Sequence, residues 1–219
     1  MDEKLTVTIK VESPINLSSG KGDVTVDIDV IHDEYGMPYF PAKRFKGLLY
    51  ESAVEVAEMS ELCQGGFLSR QTVDELFQRV PDSPVQLVMH DFHLPDYDQM
   101  AKEWQYLQQA YKEIIRPSDV LDAYTSIRYQ TAIDEKTGVA KDTSLHNMRV
   151  VDAGTDFEGT IELLGAEEKH RQALALALRN LKRAGLKRNR GFGAIKCEAS
   201  GKAFDMEALI KNALGKGAH

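Results

Sequence analysis

The sequence predicts an α+β fold with the element order β-α-β-β-α-β. Three observations carry that expectation. Four segments alternate apolar and polar residues or form short apolar runs, as strands with one buried face do. Two longer segments repeat apolar residues at helical spacing. One helix follows the first strand, the other precedes the last, and two strands lie between them.

Taken in order, "LTVTIKV" places Leu5, Val7, Ile9 and Val11 on one face of a strand spanning about 4–12. From Lys43 to Leu62, apolar residues at 45, 48, 49, 53 and 56 trace a helical stripe. "VQLVM" predicts a strand over 85–91, and "FEGTIEL" an alternating strand over 157–164. Glu167 to Ala184 reads as a helix with Leu174, Leu178 and Leu181 in line. Its acids come first, its cations last, and Gly185 stands just beyond as a C-cap. "FGAIKCEA" supplies the last strand, 192–199. This is the ferredoxin-like order, which RNA-recognition domains also use.

The segments outside that order are insertions at about 13–42, 64–84 and 94–156. No linker rich in Pro, Gly or Ser divides residues 1–219, so one domain is expected. "VTVDIDV" alternates as a further strand, with Val24, Val26, Ile28 and Val30 on one face and Thr25, Asp27 and Asp29 on the other. "TVDE" at Thr72 offers a capping box for a short helix. Asp96 offers a cap for a helix bearing Trp104, Leu107, Tyr111 and Ile114. Between 124 and 151, "DEKTG" marks a hairpin turn, and the hairpin would project as a thumb.

The 219 residues are long enough for one sizeable core. No apolar run approaches the length of a membrane span, and the N-terminal alternation is not that of a signal peptide. Two cysteines, Cys63 and Cys197, do not make a disulfide framework, so a reducing, cytoplasmic setting is expected. The terminal "GKGAH" reads as a frayed tail.

The net charge of −7 argues against nonspecific nucleic-acid binding, but charge acts in patches. Between Glu167 and Lys196 the cations are Lys169, Arg171, Arg179, Lys182, Arg183, Lys187, Arg188, Arg190 and Lys196. They stand against Glu167 and Glu168 alone.

Three stretches are candidates for chemistry. In "RNRGFG", Gly191 and Gly193 would let backbone approach a phosphate beside Lys187, Arg188 and Arg190; the plain alternative is a tight turn. In "SSGKG", Ser18, Ser19 and Lys21 form a loop suited to phosphate. Further on, "DEYGMPYFP" leads into a helix start carrying Lys43, Arg44 and Lys46. Asp27 and Asp29, about 7 Å apart on one face of a strand, could hold a divalent cation or act on a sugar hydroxyl. The alternative is an ordinary exposed strand face. His90 and His93 with the distant Cys63 lack the thiolate spacing of structural zinc, which is not expected. No Walker loop, dinucleotide fingerprint or nucleophile elbow occurs.

Taken together, "GKGDVTVDIDVIHDEYGMPYFPAKRFKGLL" and "GLKRNRGFG" resemble the RAMP superfamily of CRISPR-associated proteins. The resemblance is strongest to the Cas seven group, the backbone subunits of type III effector complexes. "MHDFHLPDYD" and the 124–163 stretch extend it over most of the chain, with 64–84 the weakest part. It implies binding to CRISPR RNA and target RNA, packing on other RAMP subunits, and cleavage of target RNA that depends on Mg²⁺ or Mn²⁺. The catalytic and metal-binding carboxylate would be Asp27, with Asp29 and Asp23 within a register step. The implied RNA contacts are the loop, helix-start and glycine-loop residues above, plus Arg128 on the thumb. Two departures stand out. Pro41-Ala42 replaces the family's frequent P-G, and Tyr50 stands where Arg is frequent. A non-catalytic scaffold subunit is the main alternative. A guide-processing endonuclease of the same superfamily and an unrelated ferredoxin-like protein are the others.

Overall fold

A computed structural model describes residues 2–20, 22, 26–131 and 145–215. The expected order forms β1 (Glu3–Val11), α1 (Ala42–Leu62), β2 (Gln86–Met89), β5 (Asp156–Leu164), α5 (Glu168–Asn180) and β6 (Ile195–Gly201). Inserted between β2 and β5 are α3 (Tyr97–Ala110), α4 (Pro117–Tyr124), β3 (Thr125–Gln130) and β4 (His146–Val151). The short helix α2 (Arg70–Leu76) follows α1, and α6 (Met206–Gly215) follows β6. The main sheet runs β2-β5-β1-β6 with every neighbour antiparallel, the ferredoxin-like arrangement.

Alternation on β1 buries Leu5, Val7, Ile9 and Val11 against α1 and α5, as the pleat requires. Phe45, Leu49, Ala53 and Val56 of α1 and Ala173 to Leu178 of α5 complete that layer in one continuous core. The other sheet face is polar. Lys4 pairs with Glu162 at 3.7 Å, Lys10 with Glu198 at 2.9 Å, and Lys196 with Glu198 at 2.8 Å. The only aromatic residue on the four strands, Phe157, is buried. RNA-recognition domains stack bases on sheet aromatics, and this sheet has none to offer.

The insertion hairpin pairs Thr125 with Val151 and Gln130 with His146, antiparallel, as a thumb should. Its expected turn at "DEKTG" lies outside the described residues. "VTVDIDV" forms no continuous strand among its described residues, 26–30. Ile28 makes a single bridge to Met148 and Val30 a single bridge to Ser18. Val26 and Val30 are nevertheless buried, so the alternation reported a real apolar face.

Other expectations shift for local reasons. The α5 helix ends at Asn180, not Ala184. The backbone of 182–184 turns away to pair with 193–195, through Ile195 N–H to Lys182 O and Ala184 N–H to Gly193 O. Leu181, in extended backbone, takes the C-cap place expected of Gly185. The cap of α2 is Ser69, which accepts the Thr72 N–H, so Thr72 sits inside the helix. Asp96 does precede α3 but makes no side-chain cap, and the helix ends before Tyr111 and Ile114. The α6 helix takes in Gly215 of the tail, and its Leu209 and Ala213 are buried.

One half-buried carboxylate staples α2 to α5. Glu75 accepts Lys169 Nζ at 2.8 Å and His170 Nε2 at 3.1 Å, and Gln71 adds a bond at 2.9 Å. Because His170 Nδ1 accepts the Glu167 N–H, its proton sits on Nε2 and faces Glu75. Lys169 first, then His170, hold the Glu75 carboxyl down at about 2. A depressed carboxyl stabilises the fold above its unfolded pKa, and that contribution disappears as pH falls through the folded value. Glu75→Gln should therefore flatten the acid limb of thermal stability between about pH 4.5 and 2 relative to wild type. Calorimetry across that range checks it; an unchanged acid limb would remove Glu75 from the account.

Candidate nucleic-acid interface

The thumb is rooted on one guanidinium. Arg149 of β4 is 9% exposed and the only charged residue in an apolar run with Met148, Val150 and Val151. Its Nε lies 3.1 Å from Asp29 Oδ1. Its Nη1 binds Asp122 of α4 and donates to Thr125 Oγ1 at 3.0 Å. Arg149 N–H donates to Ile28 O at 2.9 Å, and its carbonyl accepts Asn16 Nδ2 at 2.6 Å. Asn16 in turn gives its carbonyl to the Leu186 N–H, linking the thumb to the basic loop. Sequence reading missed Arg149 and Asn16. A lone cation in an alternating apolar run was the available signal, because buried Arg needs partners.

The two candidate carboxylates have different surroundings. Asp29 is spent on Arg149 and on the Val30 N–H, 2.8 Å away. Asp27 is exposed at the thumb's edge. Its N–H donates to Asn147 Oδ1 and its Oδ2 accepts the Asn147 N–H, each at 2.8 Å. That reciprocal pair fixes the backbone of Asp27 against β4. Asp23 and Lys21 lie outside the described residues.

The basic residues also divide. Arg44 donates to Ser18 O at 2.9 Å, and Ser18 Oγ accepts the Gly20 N–H at 3.0 Å, so Arg44 shapes the small-residue loop. Ser19 N–H donates to Asp29 O. Lys43 is exposed nearby. Lys46, roughly 200° round the helix from Arg44, instead donates to Gln78 Oε1 and Leu87 O, both at 2.9 Å. The start of α1 is already occupied by a carboxylate, since Ala42 N–H donates to Asp91 Oδ1 at 2.7 Å. Ala42 needs no glycine, because its φ is not positive. Tyr50 turns toward α2, where Arg70 donates to its hydroxyl at 2.8 Å.

In the basic loop, Lys187 binds Gln130 on the thumb. Arg188 reaches Glu51 at 3.8 Å, and Arg190 is exposed. The two glycines differ. A Cβ on Gly193 would lie 1.9 Å from Ala184 O, whereas one on Gly191 would meet nothing within 4 Å. Both take left-handed backbone, but only Gly193 is hemmed in by a neighbour, and Gly191 faces open space. Arg128, Lys43 and Arg190 have no carboxylate within ion-pair reach among the described residues. Arg128 lies on β3 of the thumb, Arg190 in the basic loop that Lys187 ties to Gln130, and Lys43 at the start of α1.

No group of three His, Cys, Asp or Glu is gathered as a metal cage among the described residues. His93 stacks between Tyr39 and Tyr97, with ring centroids at 5.5 and 4.1 Å, while Cys63 caps the far end of α1. A divalent ion beside Asp27 would have to take most of its ligands from outside the described protein side chains.

Arg149→Ala should lose about 3 kcal/mol or more in urea unfolding, because Asp29 is left without its partner. Asp27→Ala should lose only about 1 kcal/mol, the worth of its exposed bond to the Asn147 N–H. Gly191→Ala should lose about 1–2 kcal/mol for left-handed backbone, and Gly193→Ala clearly more, read by the same titration.

Comparisons with known proteins can be set against this geometry. No curated protein matches the chain in sequence. Among solved structures, it is similar to a chain of the "Cryo-EM structure of the Type III-B Cmr-beta bound to cognate target RNA". The TM-score is 0.61 and the identity 14%, over 96% of this chain and 99% of that one. A chain of the "Type III-B Cmr-beta Cryo-EM structure of the Apo state" gives a TM-score of 0.60 at 14% identity, over 92% and 98%. At that identity the likeness is one of fold. The model of the RAMP superfamily, however, matches residues 8–196, from β1 through the thumb to β6, and the chain belongs to that superfamily.

Proposed function

We propose that the chain is a guide-RNA-binding backbone subunit of a type III CRISPR effector complex. In this reading it packs with other RAMP subunits and cuts guide-paired target RNA at its thumb. The observation that carries the reading is the contrast between the aspartates: Arg149 neutralises Asp29, while Asp27 stays exposed on a backbone pinned to β4. Family membership and similarity to chains of Type III-B Cmr complexes, one bound to target RNA, support the assignment to such a complex.

RNA carries its own nucleophile in the 2′-hydroxyl. A strand bent over the thumb can bring that oxygen in line with the adjacent phosphorus, which is largely an orientation effect. Asp27 is placed to accept the hydroxyl proton or to hold Mg²⁺ or Mn²⁺ together with RNA oxygens. A bound ion would offset charge building on the phosphate. Lys43, Arg128 and Arg190 would hold the backbone either side, and the acidic remainder would keep the free subunit off unrelated nucleic acid.

One observation favours a scaffold instead: no group of three or more His, Cys, Asp or Glu forms around Asp27 among the described residues. The assembled complex separates the readings. With Mg²⁺ or Mn²⁺, Asp27→Ala should lower target cleavage about 100-fold or more while target affinity holds. Asp29→Ala should lower thermal stability as well as cleavage. A wild-type complex that binds guide and target but never cuts would make this a scaffold subunit.

A further inference from the structure

A second cationic cluster lies on the α1–α2 face, outside the thumb site. Lys46 and Tyr50 are one turn apart on α1 and so share a face. Lys46 Nζ donates only to neutral acceptors, Gln78 Oε1 and Leu87 O. The next residue, Arg79, places its guanidinium 4.7 Å from the Tyr50 ring centre. The end of α2 fixes it there: Gln78 takes left-handed backbone with φ 57°, and Arg79 N–H donates to Asp74 O at 2.8 Å. Neither Lys46 nor Arg79 has a carboxylate within ion-pair reach among the described residues. The nearest acid in the cluster, Asp74, is engaged by Arg70 at 3.2 Å and by the Tyr50 hydroxyl at 3.1 Å.

Two like charges are thus held beside each other with only neutral partners. Burial, and next the charge of Arg79, push the Lys46 ammonium below its usual range. A bound anion would offset the repulsion and give both cations the charged partner they lack.

We propose that Lys46 and Arg79, arranged around Tyr50, form an anion site that takes a phosphate of single-stranded RNA. The proposal rests on the RNA-binding reading above and adds a contact away from the thumb. Arg79 supplies a planar fork that can bond two phosphate oxygens, and Lys46 supplies a point charge. A flat cation lying on an aromatic ring also offers a stacking surface to a base, the combination that single-strand binders use. That favours RNA over an acidic protein segment.

The test is anisotropy of a labelled 20-nucleotide single-stranded RNA titrated with the full chain over a NaCl series. Arg79 is exposed and outside the core, so its variants should fold, which circular dichroism confirms. Arg79→Ala should weaken binding about 3- to 10-fold and reduce the salt slope by about 0.7, the value for one phosphate on a single strand. Arg79→Glu should weaken it further. Arg190→Glu, in the basic loop, serves as the comparison. If Arg190→Glu weakens binding and Arg79→Glu does not, this site falls while the RNA-binding reading stands. If wild type binds no RNA, both fall. If Arg79→Glu leaves RNA affinity intact but prevents assembly with partner subunits, the anion is a protein carboxylate and the RNA assignment is wrong.

Discussion

The thumb depends on one buried guanidinium. Arg149 joins pieces far apart in sequence: Asp29 from the first insertion, Asp122 from α4 and Thr125 from β3. Two carboxylates surround one cation, so the knot carries a net negative charge where Asp122 reaches solvent. A lone buried charge is costly, and each partner contributes only because the others complete the set. Asp27 is positioned as a by-product, since the segment that delivers Asp29 also lays Asp27 beside Asn147. The reactive candidate is placed by a residue that does not itself react.

Much of this was legible in the sequence. The alternation of β1 and the stripes of α1 and α5 gave the split order, because half-buried strands and amphipathic helices must show those periods. The thumb was legible as two β-rich stretches around a turn signal. Less visible was what depends on contacts between distant residues. Nothing local distinguishes Asp27 from Asp29; only Arg149, 120 residues away from Asp29, does. The same holds for Lys46, which looks like its neighbour Arg44 but faces the other side of α1. Ends of helices were misplaced where backbone found partners elsewhere, as at residues 182–184. Gly191 and Gly193 read alike in sequence, and only the approach of Ala184 separates them.

The electrostatic pattern is one of partition, not balance. On the open sheet face, Lys4, Lys10 and Lys196 are each matched to Glu162 or Glu198. Lys196 first, then Lys10, hold the Glu198 carboxyl at about 2. Charges there cancel at short range and leave little field. Lys43, Arg128 and Arg190, and on the α1–α2 face Lys46 and Arg79, instead have no carboxylate within ion-pair reach among the described residues. An acidic chain can thus keep two concentrated positive regions, because its acids are paired elsewhere or spread over helix surfaces.

The sheet register carries a consequence for biosynthesis. β1 lies between β5 and β6, pairing Glu3 with Leu163 and Leu5 with Gly201. It therefore has no strand partner until β5 begins at Asp156, about 145 residues after β1 ends at Val11. At ribosomal speeds of about 5–20 residues per second, that wait is on the order of 10–30 s. Throughout it, a strand of alternating Leu, Val and Ile stays unpaired on both edges, the state most open to wrong pairing. The central strand of the folded sheet is the most vulnerable part of the nascent one.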